Sequence, residues 1–152
     1  MRTGGISLEQ APPLSIPASF FLSIPLGLLF AGYILISSGL MPFMSPWMPQ
    51  ALALAHAGTL GVLAMGMMGA LYQMIPVIAG SAVPFTRLAH LVHLLMLSGL
   101  ACFGWRLLGG AESIMTVAMV CFIAALLIFL IPISWALARC ATRNETVQGM
   151  RI

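Results

Sequence analysis

The sequence predicts an all-α integral membrane protein, a four-helix bundle with both termini in the cytoplasm. Composition is the first reason, since 61% of the 152 residues are hydrophobic and 6% are charged. A soluble domain of this length leaves about 30% of its chain surface in water and could not hide so much apolar area. The second reason is a set of four long apolar runs, and the third is the uneven placement of the arginines. The lipid bilayer is therefore the expected solvent.

The four apolar runs lie at residues 18–41, 51–77, 88–108 and 113–138. Each has the roughly 20 residues that a helix needs to cross a hydrocarbon core about 30 Å thick. The runs are continuous rather than alternating, and in lipid every backbone group must find a partner within its own segment, so we expect helices. Residues 1–17 are then an N-terminal cytoplasmic arm, and residues 139–152 are a cytoplasmic tail.

The arginines set the orientation of the spans. In a four-span arrangement one side carries Arg2, Arg87, Arg139, Arg143 and Arg151. Only Arg106 falls on the other side. Because positively charged loops stay in the cytoplasm, both termini should lie inside, as in a multi-pass protein of a bacterial inner membrane. The net charge of +3 follows from this topology, and no basic stripe with interleaved aromatic residues indicates a nucleic-acid partner.

Prolines and tryptophans indicate where the spans bend and end. Pro25 should kink the first span, because proline removes a backbone donor and clashes with the preceding turn. Pro76 is expected to end the second span near the cytoplasm, and Pro132 to bend the fourth. Trp47 and Trp135 are expected to anchor the chain at the two membrane interfaces.

The second span carries the residues from which we infer chemistry. An ionisable side chain such as His56 is expensive inside hydrocarbon and by default marks a binding or transport site. On a helix His56 shares its face with Thr59, and Gly58 and Gly61 flank that face. Small residues let another helix, or the face of a porphyrin, approach the backbone. A neutral imidazole beside them suits axial ligation of haem iron; the alternative is a histidine that only hydrogen-bonds across a helix interface.

The string HAGTLGVLAMGMMGALYQMIPVIAG, with the upstream PPLSIPASFFLSIPLGLLFAG, resembles small membrane proteins related to the haem-copper oxidase catalytic subunit and the nitric-oxide-response (NnrS-like) family. The matching residues are His56, Thr59-Leu60-Gly61, Gly69-Ala70-Leu71-Tyr72-Gln73 and Pro76-Val77. The resemblance covers about the first half of the chain. It implies haem b, with His56 in place of the histidine that ligates low-spin haem near the outer end of the second oxidase span.

The chain departs from the oxidases in having only four spans and no later histidine pair at the outer level. A complete oxygen-reducing centre is therefore not expected. No acid–base pair, activated nucleophile or phosphate loop indicates an enzyme either. We expect a haem protein for electron transfer or for binding of a diatomic gas (O2 or NO).

Residues beyond His56 are needed to complete a haem site. The simplest source of a second axial ligand is a homodimer in which two copies of His56 face one haem, since two-fold interfaces are the commonest. Arg106, at the same membrane level, could pair with the haem propionates. It could equally be an arginine that only reaches the interface.

Two further sets of residues give alternative functions. His90 and His93 are three residues apart on one helix face at the cytoplasmic end, where they could bind a metal or a quinone head group or reach lipid head groups. Met44 and Met48 lie in the outer loop, and their thioethers would select Cu(I), although methionine is also an adaptable filler. The alternatives to a haem protein are thus a Cu(I)-handling protein and a cofactor-free structural subunit of a larger membrane complex.

Overall fold

The structure, a computed structural model, describes residues 11–139 and Gly149, and its secondary structure within these residues is helical. In chain order the helices are α1 (Ser15–Ser38), α2 (Met41–Met44), α3 (Pro49–His56), a π-helical segment (Ala57–Ala64), α4 (Met65–Ala79), α5 (Leu88–Leu107) and α6 (Ser113–Ala138). The predicted arm is described from residue 11 only. The predicted tail, with Arg143 and Arg151, lies outside the described residues except for Arg139 and Gly149, and so does Arg2.

Four helices are long and apolar enough to cross a membrane, which confirms the all-α, four-span fold. The second of them is α3, the π segment and α4 running on as one helix. The fourth, α6, has the predicted bounds. The first begins at Ser15 rather than at residue 18, so the last residues of the predicted arm belong to α1.

Prolines lie inside three of the spans instead of ending them. α4 continues through Pro76 to Ala79, so the expectation that Pro76 ends the second span was wrong. Pro25 and Pro132 likewise lie within α1 and α6. A proline costs one hydrogen bond, but in lipid no water competes for the remaining backbone groups, and the helix is the conformation that satisfies them.

The apolar surface of the bundle faces outward, as expected for a helix bundle in lipid. Leu22 and Ile36 of α1 are 75% and 88% exposed, and Ile131 of α6 is 65% exposed. A patch of this kind is much larger than a soluble monomer shows. The interior contains a smaller apolar core, in which the largest fully buried side chains include Tyr72 and Phe20. The protein is therefore a multi-pass membrane protein whose outer face contacts the bilayer.

The four spans pack as two antiparallel pairs. α1 packs along the second span, and α5 packs along α6. α4 also contacts α6, and α1 also contacts α5. This arrangement puts the second span and α5 at the centre, with α1 and α6 on opposite flanks.

Glycines allow the first pair to approach closely. A Cβ atom on Gly27 would lie 2.8 Å from the carbonyl carbon and oxygen of Gly61. A Cβ on Gly69 would lie 2.9 Å from the Cβ of Phe20. Because no side chain fits at these points, the helices approach closely, with backbone against backbone at Gly27 and Gly61. This is the small-residue packing common between membrane helices.

The π segment changes which side chains of the second span face inward. Within the π segment and the turns on either side of it, the buried residues are four apart, at Ala53, Ala57, Gly61 and Met65. A regular α-helix has 3.6 residues per turn, so positions four apart drift around its axis. Wider π turns hold that series on one side, and π-bulges occur frequently at functional sites. This segment begins directly after His56.

Candidate functional site

His56 lies at the junction of α3 and the π segment, and its ring is half-buried against α5. The centroids of the His56 and Phe103 rings are 4.6 Å apart, and their planes are tilted by 45°. Phe103 in turn packs its ring edge against Phe122 of α6, at 6.2 Å. The imidazole is thus supported on one side by an aromatic pair from the α5–α6 hairpin.

The hydrogen bond of His56 fixes which nitrogen remains available. Nδ1 lies 2.8 Å from the carbonyl oxygen of Leu52, one turn earlier in the same helix. A carbonyl can only accept, so Nδ1 carries the proton and donates it. In neutral imidazole this leaves the lone pair on Nε2. Histidines that ligate metals have the same arrangement, because the second hydrogen bond orients the ring and raises the basicity of the ligating nitrogen.

The surface beside His56 is open on one side and filled on the other. A Cβ on Gly58 would have nothing within 4 Å. Thr59 is exposed, and its hydroxyl donates to the carbonyl of Ala55 at 2.8 Å. Gly61 instead faces the bundle, where a Cβ would lie 2.8 Å from Leu100 Cδ2 and 3.2 Å from the Cα of Gly27. Gly58 and Thr59 therefore border free space, whereas Gly61 serves helix packing.

Arg106 is placed three residues after Phe103 on α5, at the His56 end of the bundle. Its Nη2 lies 3.3 Å from Oε1 of Glu112, at the start of α6. The Arg106 side chain is 32% exposed and that of Glu112 is 92% exposed. An ion pair this open to solvent contributes about 0–1 kcal/mol. The guanidinium thus lies in the last turn of α5 with a carboxylate as its partner.

The two histidines of α5 have different surroundings. His90 is exposed, whereas His93 is half-buried and faces α1. Nε2 of His93 lies 2.6 Å from Oγ of Ser23, and its ring packs edge-on to Phe20 with centroids 5.2 Å apart. Phe103 lies ten residues beyond His93, about 15 Å along a helix. His93 is therefore well separated from the His56 end of the bundle.

The methionines divide between the surface and the core. Met44 is 76% exposed in α2, and Met48 is half-buried just before α3. Met65, Met68 and Met96 are buried within the apolar core, where a thioether acts as a flexible filler. Residues 11–139 contain no group of three or more His, Cys, Asp or Glu side chains that could hold a metal ion.

The sequence singled out His56 as a candidate but did not predict the residues that surround it. Leu52 is four residues upstream, so its carbonyl could have been identified from helix geometry alone. Phe103 and Ser23 belong to other spans, and nothing local in the sequence pairs them with His56 and His93. The π segment has no sequence pattern that we recognise.

The fold and its outward apolar surface define a multi-pass, all-α membrane protein with four spans. Comparisons with protein-family models, with curated proteins and with solved structures found no match. The resemblance to the haem-copper oxidase subunit and to the NnrS-like family therefore stays a prediction. Functional inference depends on the geometry of the individual residues.

Proposed function

We propose that the protein binds haem b in a bacterial inner membrane, with His56 as an axial ligand, for electron transfer or for binding of O2 or NO. The observation that carries the proposal is the hydrogen bond from Nδ1 of His56 to the Leu52 carbonyl at 2.8 Å. It orients the imidazole and leaves Nε2 with its lone pair, as iron ligation requires. Bound haem would supply a one-electron iron couple or an iron site for a diatomic gas.

The residues around His56 support a flat apolar group on the open side. Gly58 has no neighbour within 4 Å of its Cβ position, so a planar group could approach the backbone there. Phe103 backs the imidazole from the bundle side and limits rotation of the ring. Gly61 is not part of this proposal, because Gly27 and Leu100 fill the space beside it. Thr59 borders the open side with its hydroxyl bonded to its own helix.

Arg106 supports the proposal by its level in the bundle and by its chemistry. Its guanidinium lies one turn beyond Phe103, and it already holds a carboxylate, that of Glu112. Haem propionates are carboxylates and suit the same planar fork. Because the Glu112 pair is largely exposed, exchange of that carboxylate for a propionate would cost little.

A second copy of the chain is our source for the second axial ligand. Among the described residues, His90 and His93 are the remaining histidines, and they lie toward the start of α5. The open side next to His56 carries Ala55, Gly58 and Thr59, whose small side chains would allow a second copy to approach. A two-fold dimer would then present two imidazoles to one haem.

The test is an absorption spectrum of the purified protein, oxidised and reduced, with a metal assay on the same sample. We expect a Soret band and reduced α and β bands in the wild type, lost in His56→Ala and kept in His90→Ala. His90 is the matched control because it is an exposed histidine outside the proposed site. Bound copper without a Soret band would replace this proposal with Cu(I) handling by Met44 and Met48. Absence of both would leave a structural subunit.

A further inference from the structure

A groove of about 590 Å³ runs between α1 and α5. It extends from Ser23 to Tyr33 along α1, a distance of about 15 Å for ten residues of helix. Drug-sized ligands occupy cavities of this size. Because His56 and Arg106 do not line the groove, it is separate from the proposed haem site.

The groove is shaped for a flat apolar molecule. Gly27 and Gly61 form part of its floor, and Ala101 lies on its α5 wall. Phe30 and Trp105 add aromatic surface. Rings stack on aromatic surfaces in offset or edge-on contacts that contribute beyond the burial of area. Four leucines complete an apolar lining that can hold a planar ring: Leu26, Leu97, Leu100 and Leu108.

The end of the groove at Ser23 is polar. The hydrogen bonds of Ser23 determine what else its hydroxyl can bind. Ser23 lines this end, is only 5% exposed, and lies 2.6 Å from Nε2 of His93. The Ser23 hydroxyl also lies 2.9 Å from the carbonyl of Ser19, which can only accept. Its single proton is used in that bond, so the Ser23 oxygen accepts from the Nε2–H of His93.

This arrangement defines what a ligand must offer. A hydroxyl oxygen has two lone pairs, and the His93 bond uses one of them. The second can accept one more hydrogen bond, from a donor that enters the groove. The donor has to be uncharged, because an unpaired charge at this depth of a span is costly. A neutral hydroxyl on a flat, lipophilic ring meets both conditions.

The geometry points to a binding site for a lipophilic hydroquinone, with its ring between α1 and α5 and one hydroxyl donating to Ser23. The hydrocarbon tail of the hydroquinone could extend into the bilayer, because the groove opens sideways toward lipid. Leu26 and Tyr33 line this side and are 55% and 60% exposed. The oxidised quinone has carbonyls in place of hydroxyls and cannot donate, so the site favours the reduced form. The inference concerns binding alone and does not need haem.

The affinity can be measured by calorimetry with decylubiquinol and decylubiquinone in detergent micelles, with protein-free micelles as the blank. One hydrogen bond corresponds to about a 2- to 10-fold difference, so we expect the hydroquinone to bind tighter by that factor. Ser23→Ala should weaken hydroquinone binding by the same factor and bring the ratio to about one or below, because the Nε2–H of His93 that it frees can donate only to the carbonyl of the oxidised form. Equal affinities of the two forms for the wild type would overturn the inference.

The location is tested by a chain in which Trp47 and Trp135 are replaced by Phe, so that Trp105 alone fluoresces. Decylubiquinone should quench Trp105. Ala101→Phe should weaken binding of both forms by about 10-fold or more, since the added ring fills the groove. The matched control is Leu127→Phe, at a position on α6 that is 55% exposed. Ala101→Leu, a smaller intrusion, serves if the phenylalanine variant does not fold.

Other outcomes decide against a hydroquinone. If Ala101→Phe and Leu127→Phe bind alike, the groove is not the site. If native mass spectrometry instead finds a phospholipid that Ala101→Phe releases, the groove holds an acyl chain. Repeating the titration with His56→Ala separates the two proposals, because hydroquinone binding should persist there even though the proposed haem ligand is gone.

Discussion

His56 and His93 are both half-buried imidazoles in membrane spans. Their hydrogen-bond partners differ, because one lies in the same helix and the other in a neighbouring helix. Nδ1 of His56 donates to Leu52, a residue of its own helix. Nε2 of His93 bonds to Ser23, a residue of a different helix. The His56 bond therefore orients a ring without joining helices, whereas the His93 bond ties α5 to α1.

The difference extends to the residues around each histidine. Beside His56, Gly58 borders free space and Thr59 bonds back to Ala55. Beside His93, Phe20 packs against the ring and is fully buried. The surface around His56 is thus open to a partner or cofactor. Around His93, the polar groups bond to each other inside the bundle. At similar burial, His93 joins two helices, whereas the bond of His56 stays within its own helix.

A packed glycine, Gly27, and the open glycine beside His56, Gly58, should give the largest contrast in stability. Gly27→Ala puts a methyl group 2.8 Å from the Gly61 backbone, so α1 has to move. We expect a loss of about 1–3 kcal/mol in the free energy of unfolding. Gly58→Ala meets nothing within 4 Å and should be neutral or stabilising by up to about 1 kcal/mol. Unfolding followed by circular dichroism in one detergent measures both, and equal losses would refute the distinction between packed and open glycines.

The spans could be predicted from the sequence because hydropathy and span length are local properties. α6 matches its prediction at both ends, since Glu112 and Arg139 flank an uncharged run. Pro76 shows the limit of local rules: a proline disfavours a helix, but here the helix continues past it to Ala79. Membrane helices tolerate such a break because the backbone has few alternatives in lipid.

The site was harder to predict because it depends on tertiary contacts and on helix periodicity. A period of 3.6 residues grouped Gly61 with the surface around His56. The π segment instead places Gly61 in the buried series with Ala57 and Met65. The contact of Gly27 with Gly61 joins residues from different spans. Without an observed partner, a glycine in a membrane span fits a cofactor and a neighbouring helix equally well.

The hydroxyl groups should give the next largest contrast. Ser23→Ala removes the Ser23 oxygen that accepts from the Nε2–H of His93, at a cost of about 1–3 kcal/mol. Thr59→Ala removes an exposed hydroxyl that only bonds back to its own helix, and we expect less than about 0.5 kcal/mol. The double variant Ser23→Ala/His93→Phe should recover part of the loss, because removing both partners is nearly neutral. No recovery in thermal unfolding would mean that Ser23 stabilises through packing alone.

The smallest effect on stability is expected at the exposed ion pair of the His56 end. Glu112→Gln removes the partner of Arg106, and unfolding should change by less than about 1 kcal/mol and by nothing measurable at high salt. Arg106→Gln should be equally mild for stability. The two variants should differ in haem retention. The proposed propionate contact predicts faster haem loss from Arg106→Gln. Glu112→Gln frees the guanidinium, so this variant should hold haem at least as well as the wild type. Equal rates of haem transfer to an apoprotein acceptor would assign Arg106 to the interface alone and leave His56 as the residue on which the haem proposal depends.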